Sequence, residues 1–190
     1  TAEFGCTRNT VRRALSMLAD QMFVQPIHGK GVRVIWLKGE TDMLGALEEV
    51  ESFGEFAKRN NAVASTEVKS FEHLICTEQL SRRLGFKVGE ELIRVVRVRS
   101  LNGSARQVDH GYFLASIAKG LTPEIAADSI YGYLEHKRGI KVMASRRTVS
   151  VELANDEDCS YLDLGKHNCV AVMESQSYTS DGILFEVTHA

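Results

Sequence analysis

Arg97 and Arg99 occupy alternate positions in the stretch "LIRVVRVRSLNG", and the same alternation carries Ile93 and Val95. Alternate side chains of a strand share a face, so this row begins apolar and ends with two guanidinium groups about 7 Å apart. On an interior face such a pair needs an anion between its members. On a strand running out into solvent it needs nothing, and this segment alone leaves both readings open. The turn at Asn102-Gly103 decides what faces the arginines. A two-residue turn would set Arg99 opposite Arg106, a like-charge pair, whereas a three-residue loop from Leu101 to Gly103 sets it opposite Ala105 and is the expected form. That register puts Asp109 opposite Val95, on the face of both arginines; a slip of one residue would send it to the other side. Ser129 can cap a helix that carries Ile130, Tyr133 and Leu134 inward, with Gly139 just past its end. Together these groups suit a phosphorylated polyhydroxy compound. The arginines, Ser129 and the neighbouring amides would hold phosphate, and Asp109 would accept hydroxyl groups.

The elements that must position these residues come in two similar sets. A strand (Glu67 to Leu74), a short helix ending at Leu84-Gly85 and a strand (Leu92 to Ser100) lead to the turn at Asn102-Gly103. A strand (Thr148 to Leu153), a short helix ending at Leu164-Gly165 and a strand (Cys169 to Tyr178) lead to Asp181-Gly182. The spacing from helix-end glycine to turn glycine is nearly the same in both sets, which predicts a pseudo-repeat in an antiparallel α+β domain. Ahead of it, Ser52-Phe53-Gly54-Glu55 has capping-box spacing, with Phe56 and Ala57 inside the helix it starts.

The first 38 residues have a different character. Val11, Ala14, Leu15 and Leu18 recur at helical spacing, so Thr7 to about Asp20 is expected as a helix with that stripe on a core. Arg8 and Arg12, four apart, share another face, and Thr7 can cap the start. Two short β-type runs then flank His28-Gly29-Lys30-Gly31, a hairpin with a basic, glycine-permitted tip. Up to Lys38 there are six Lys/Arg against two acids, and beyond it 17 against 23. A basic head on an acidic body points to a polyanion partner for the head alone. A helix with two arginines followed by a basic hairpin is the order of a winged helix-turn-helix, in which the helix enters the major groove and the wing reaches the backbone or minor groove. The alternative is an ordinary solvated face.

Composition adds boundaries. With 44% hydrophobic and 25% charged residues the chain has globular composition, and no apolar run approaches the ~18 residues of a membrane span. Cys6, Cys76, Cys159 and Cys169 are far apart and the histidines are scattered, so a reduced cytoplasmic protein without metal or cofactor is expected. The sequence opens on Thr-Ala-Glu-Phe-Gly, as if an N-terminal part of the head were missing.

The residues "TRNTVRRAL" and "HGKG" resemble the DNA-binding module of GntR-type bacterial regulators. That resemblance implies DNA contacts from Thr7, Arg8, Thr10 and Arg12 on the helix, and from His28 and Gly29 on the wing. From about residue 43 the chain resembles the UTRA effector domain of the HutC branch of that family, a fold shared with chorismate lyase. The implied organisation is a truncated winged helix-turn-helix over 1–37, a linker over 38–42, and an effector domain over 43–190 whose C-terminal tail is missing. In sugar-phosphate-responsive members, positions matching Ser52, Gly54, Arg97, Arg99 and Ser129 hold phosphate, with Tyr131 nearby. Those matching Asp109 and Glu186 meet sugar hydroxyls, although many members have glutamate where Asp109 stands. Within the branch, "DHGYFL", "GLTPEIAADSIYGYLE" and "ESQSYTSDGILFEVT" look most like trehalose-operon repressors, which implies trehalose 6-phosphate as effector, pseudo-palindromic operator DNA and a homodimer. Rival readings are the same repressor with N-acetylglucosamine 6-phosphate or a non-sugar effector, and an enzyme using Asp109 and Glu186 as a carboxylate pair for glycoside cleavage. The enzyme is disfavoured, because no nucleophile-base motif or metal set is visible and an enzyme has no need of a basic head.

Overall fold

The computed structural model describes residues 5–20, 23–35 and 53–190. The chain forms two compact units, Thr1–Gly45 and Ala46–Ala190. The expected boundary between Leu37 and Met43, the 38–42 linker and the capping residue Ser52 lie outside the described residues.

In the first unit, helix α1 (Arg8–Asp20) precedes an antiparallel hairpin of β1 (Val24–Ile27) and β2 (Gly31–Val34). Thr7 starts the helix, its Oγ1 accepting from the Thr10 amide at 3.2 Å. Ile27 pairs with Gly31, so the hairpin tip is His28, Gly29 and Lys30; Gly29 there has φ of 71°, a left-handed conformation that suits glycine. The expected apolar stripe is only partly realised. Val11 and Leu15 are half-buried, Ala14 and Leu18 are exposed, and α1 has no fully buried residue. Among the described residues of this unit, one helix and one short hairpin cover only part of the stripe.

The second unit is α+β. Helix α2 (Phe53–Arg59) leads into a six-stranded antiparallel sheet in the order β3-β4-β5-β8-β7-β6. Its first half is β3 (Ala64–Ile75), α3 (Glu78–Leu84), β4 (Glu91–Leu101) and β5 (Ser104–Leu114). Its second half is β6 (Ala144–Leu153), α6 (Asp156–Tyr161), β7 (Cys169–Tyr178) and β8 (Leu184–His189). The halves have the same strand-helix-strand-strand order, and β5 pairs with β8 at the centre of the sheet. The pseudo-repeat read from the sequence is therefore present as a pseudo-two-fold sheet. Between the halves lie α4 (Pro123–Ala127) and α5 (Ile130–Arg138).

Local chemistry explains where the helices begin and end. Thr77, Thr122, Ser129 and Asn155 cap α3, α4, α5 and α6, and Gly85 and Gly139 end α3 and α5 in left-handed conformations. The helix expected to run to Leu164-Gly165 stops at Tyr161 instead, because Leu162 turns extended. Asp163 leaves the helix to accept the Ala105 amide at 2.8 Å, anchoring the β4–β5 hairpin.

Both faces of the sheet are occupied. On the front, Ile93, Val95 and Phe113 pack in a core that includes Ile130 and Leu134 of α5, all with little or no exposure. On the back, Val96, Val98 and Val108 are joined by Tyr161 and Leu162, and Arg83 of α3 stacks over Tyr112 at 5.8 Å.

Candidate functional site

The front-face row predicted from β4 is buried, which settles the open choice in favour of the interior. Arg97 is 5% exposed and Asp109 1%. Arg97 Nη2 and Arg99 Nη2 both donate to Asp109 Oδ2, the second at 2.8 Å. Arg97 Nη1 also donates to the Ala126 carbonyl of α4 at 3.2 Å. One carboxylate thus ties two guanidinium groups together, and the backbone of α4 fixes one of them from above.

The register that achieves this differs from the expected one. Leu101 pairs with Ser104, so the turn has two residues, Asn102 and Gly103, both at positive φ. The pairing then shifts: Ser100 faces Ala105, but Arg99 faces Gln107 and Arg97 faces Asp109. Arg106 is bulged out and exposed. The like-charge pair that argued against a two-residue turn never forms, because the bulge removes Arg106 from the ladder. The bulge also carries Asp109 onto the arginine face, opposite Arg97 rather than Val95.

A second cluster lies across the sheet. Phe113 of β5 faces Glu186 of β8, which in turn faces Ser177 of β7, so Glu186 and Ser177 share the front face. Tyr131, in the first turn of α5, donates its hydroxyl to Glu186 and lies 3.2 Å from Ser177 Oγ. Ser177 has no exposure and was not singled out in the sequence. Its signal was weak, one serine among several in "ESQSYTS", and only the β7–β8 register puts it beside Glu186. Ala126 and Phe53 were missed for similar reasons, one acting through its backbone and the other through ring position.

The remaining residues fall as follows. Ser129 Oγ accepts from the Gly132 amide at 3.0 Å, capping the helix that carries Tyr131. Gly54 lies in α2 beside Phe53, whose ring stacks 5.2 Å from Arg99 Cζ. Gly111 lies between Asp109 and Phe113 on β5; a Cβ there would come within 2.6 Å of the Phe113 ring. In the first unit, Thr7, Arg8, Thr10, Arg12, His28 and Gly29 are all exposed.

Electrostatics divide the second-unit site in two. Burial raises the Asp109 pKa, but Arg97 and Arg99 outweigh it and hold the carboxyl below its usual range. Burial lowers the Arg99 pKa against the pull of Asp109. Burial also raises Glu186, opposed by hydrogen bonds from Tyr131 and Ser177, and it raises the Tyr131 hydroxyl well above its usual value, with Glu186 adding to the shift. Arg97 Nε, Arg99 Nε and Asp109 Oδ1 are buried without hydrogen-bond partners among the described residues. Two guanidinium groups share one carboxylate in a desolvated setting, with donors unused and the Glu186 carboxyl within electrostatic reach of both. A cluster of this kind can accept an anion between its arginines. Two surface cavities of about 460 and 510 Å³ lie toward the back of the sheet, lined in common by Arg83, His110 and His189. Neither is lined by Arg97, Arg99, Asp109 or Glu186. Among the described residues no group of three or more His, Cys, Asp or Glu could hold a metal ion.

A pseudo-two-fold antiparallel sheet with a buried arginine-carboxylate cluster, joined to a basic helix-hairpin unit, defines a ligand-binding regulator. The chain belongs to the UTRA-domain regulators of the GntR family, the UTRA domain matching residues 59–190. It is 30% identical to the HTH-type transcriptional regulator TreR of Bacillus subtilis (strain 168), over 100% of this chain and 79% of the relative. It is 24% identical to the transcriptional repressor NagR of the same organism, over 97% of this chain and 74% of that one. Among solved structures, YydK of Bacillus subtilis matches with a TM-score of 0.73 at 23% identity, covering 99% of this chain and 79% of that chain. The effector-binding domain of the B. subtilis trehalose repressor matches with a TM-score of 0.59 at 27% identity, covering 66% of this chain and 87% of that one. The relatives are transcriptional regulators, and this chain is a ligand-responsive regulator rather than an enzyme.

Proposed function

We propose that the protein is a cytoplasmic, homodimeric repressor of a sugar-utilisation operon, released from a pseudo-palindromic operator by a sugar phosphate, in the first instance trehalose 6-phosphate. The observation that carries this reading is the buried pair Arg97 and Arg99 with one shared carboxylate. Phosphate would take the unused arginine donors, aided by Ser129, Ser52 and the backbone of Gly54 with Tyr131 nearby, while Asp109, through its unpartnered Oδ1, and Glu186 would meet sugar hydroxyls. Likeness to the trehalose regulator supports the choice of sugar. Thr7, Arg8, Thr10 and Arg12 would contact operator from the helix, and His28 and Gly29 from the wing. Residues 1–37 would be the DNA-binding part, 38–42 the linker and 43–190 the effector part.

Release requires that the ligand bind the DNA-incompetent arrangement more tightly than the competent one. Titration of operator-bound protein with trehalose 6-phosphate, trehalose, N-acetylglucosamine 6-phosphate and inorganic phosphate tests the reading. Trehalose 6-phosphate should release DNA and trehalose should act far more weakly. Arg97→Ala should hold operator but no longer respond. Release by the acetylated sugar phosphate alone would replace the sugar; no response to any compound, with Arg97→Ala indistinguishable from wild type, would remove the site.

A further inference from the structure

Arg83 and Arg146 stand at the back of the sheet, both exposed, and neither makes a hydrogen bond or ion pair among the described residues. Arg83 rests on the Tyr112 ring at 5.8 Å. Strand register relates the two. From Tyr112 of β5 one row runs straight across the sheet, through Val187 of β8 and Gln176 of β7, to Arg146 of β6. The next row on the same face runs through His110, His189, Glu174 and Thr148 in the same strand order. These two rows floor the back-face cavity of about 510 Å³, with Arg83 and Arg146 at its two ends. Three strand spacings put Tyr112 and Arg146 about 14 Å apart along that floor. Among the described residues lining the cavity Glu174 is the one carboxylate, and it lies 3.5 Å from His189 Nδ1 rather than beside either arginine.

On a convex surface two such arginines would be served by water. Here they border one concave floor, and each brings a planar fork of donors suited to a carboxylate or a phosphate. Thr148 and Gln176 add neutral polar groups between them. We propose that this cavity binds a small diacid, one anionic group held by Arg83 and the other by Arg146, with the body of the ligand lying over Val187 and Gln176. A compound with a single anionic group would satisfy one end only, so two groups separated by several bonds are specified. The volume is that of a small-metabolite site. Arg97, Arg99, Asp109 and Glu186 line no part of this cavity. Asp109 and His110, like Glu186 and Val187, are chain neighbours that face opposite sides of the sheet, so β5 and β8 serve the front cluster and the back cavity at once. The protein would thus take a second ligand, distinct from the proposed effector.

Calorimetric titration of the whole chain with succinate, glutarate, adipate, 3-phosphoglycerate and acetate tests the site. At least one diacid should bind saturably, one per chain, and about tenfold or more tighter than acetate. Comparison of 3-phosphoglycerate with the dicarboxylates shows whether one of the two groups is a phosphate. Arg83→Ala and Arg146→Ala, both at exposed positions, should keep the wild-type melting temperature and each weaken that diacid about tenfold, the loss of one charge-assisted contact. The double variant should bind it no better than acetate. Arg97→Ala should bind the diacid as wild type does, so failure of the proposed effector would leave this result unaffected. No saturable binding of any diacid, equal affinity for acetate, or wild-type affinity in the double variant would overturn the site. Diacid binding lost in Arg97→Ala but kept in Arg83→Ala would move the ligand to the front face and overturn it as well.

Discussion

Asp109 shows how one side chain can set the state of a whole site. It lies between Arg97 and Arg99 with almost no access to water, and its Oδ2 takes a hydrogen bond from each. Removing its charge leaves two guanidinium groups in a desolvated setting, so Asp109→Asn should lose about 3 to 5 kcal/mol of stability in denaturant titration at neutral pH. Saturating phosphate should recover part of that loss, because a bound anion replaces the missing charge; no recovery would argue against an anion site. The pH dependence has opposite signs at the two carboxyl groups. Asp109 is held below its usual range, so its contribution is present at neutral pH and lost as pH falls through its folded value. Glu186 is raised, so its contribution is full in acid and lost as pH rises past the usual carboxylate range. Glu186→Gln should therefore gain stability relative to wild type as pH rises, as thermal melts across that interval would record.

The bulge at Arg106 is the element on which the site depends. It lets a two-residue turn coexist with Asp109 on the arginine face. Deleting Arg106 should regularise the hairpin while keeping Arg97 opposite Asp109, so effector response should survive with a stability change within about 1 kcal/mol. Inserting an alanine between Gln107 and Val108 should turn Asp109 to the back face, with loss of response and a cost of about 3 to 5 kcal/mol from the unpaired arginines. Ligand titration and unfolding of the two variants separate these outcomes. Gly111 belongs to the same strand, and Gly111→Ala should cost about 1 to 3 kcal/mol by forcing the buried Phe113 ring to move.

At the scale of the molecule, charge is divided between a basic first unit and an acidic second one. Arg8, Arg12 and Lys30 of the first unit are exposed, and on the proposed reading one copy would offer few phosphate contacts. Operator binding at physiological salt is therefore expected to need two half-sites, visible as a footprint with two-fold symmetry. Under the proposed contacts, Arg12→Ala should lower the dependence of log K on log salt by about one if Arg12 meets a phosphate, and Arg8→Ala should cost about 1 to 3 kcal/mol and relax the preference at one position if Arg8 reads a base edge. A footprint over a single half-site with full affinity would count against the dimeric reading.

Periodicity and caps made much of the fold legible without coordinates. The strand rows, the helix starts at Thr7 and Ser129, the glycine-terminated α3 and α5 and the repeated half-sheet all follow from local rules of spacing and hydrogen bonding, and such rules act within a few residues. Arg97 and Arg99 could be placed on one face in the same way. What lay opposite them could not, because a like-charge clash between Arg99 and Arg106 can be avoided either by a longer loop or by a bulge. The anchoring of the hairpin to Asp163, almost sixty residues away, accompanies the bulge. Ser177 and the Ala126 carbonyl entered the site only through the pairing of β7 with β8 and the packing of α4 on the sheet, contacts between positions that no local pattern links. The choice between buried and solvent-facing arginines was likewise made by tertiary structure, since burial depends on which helices cover a strand.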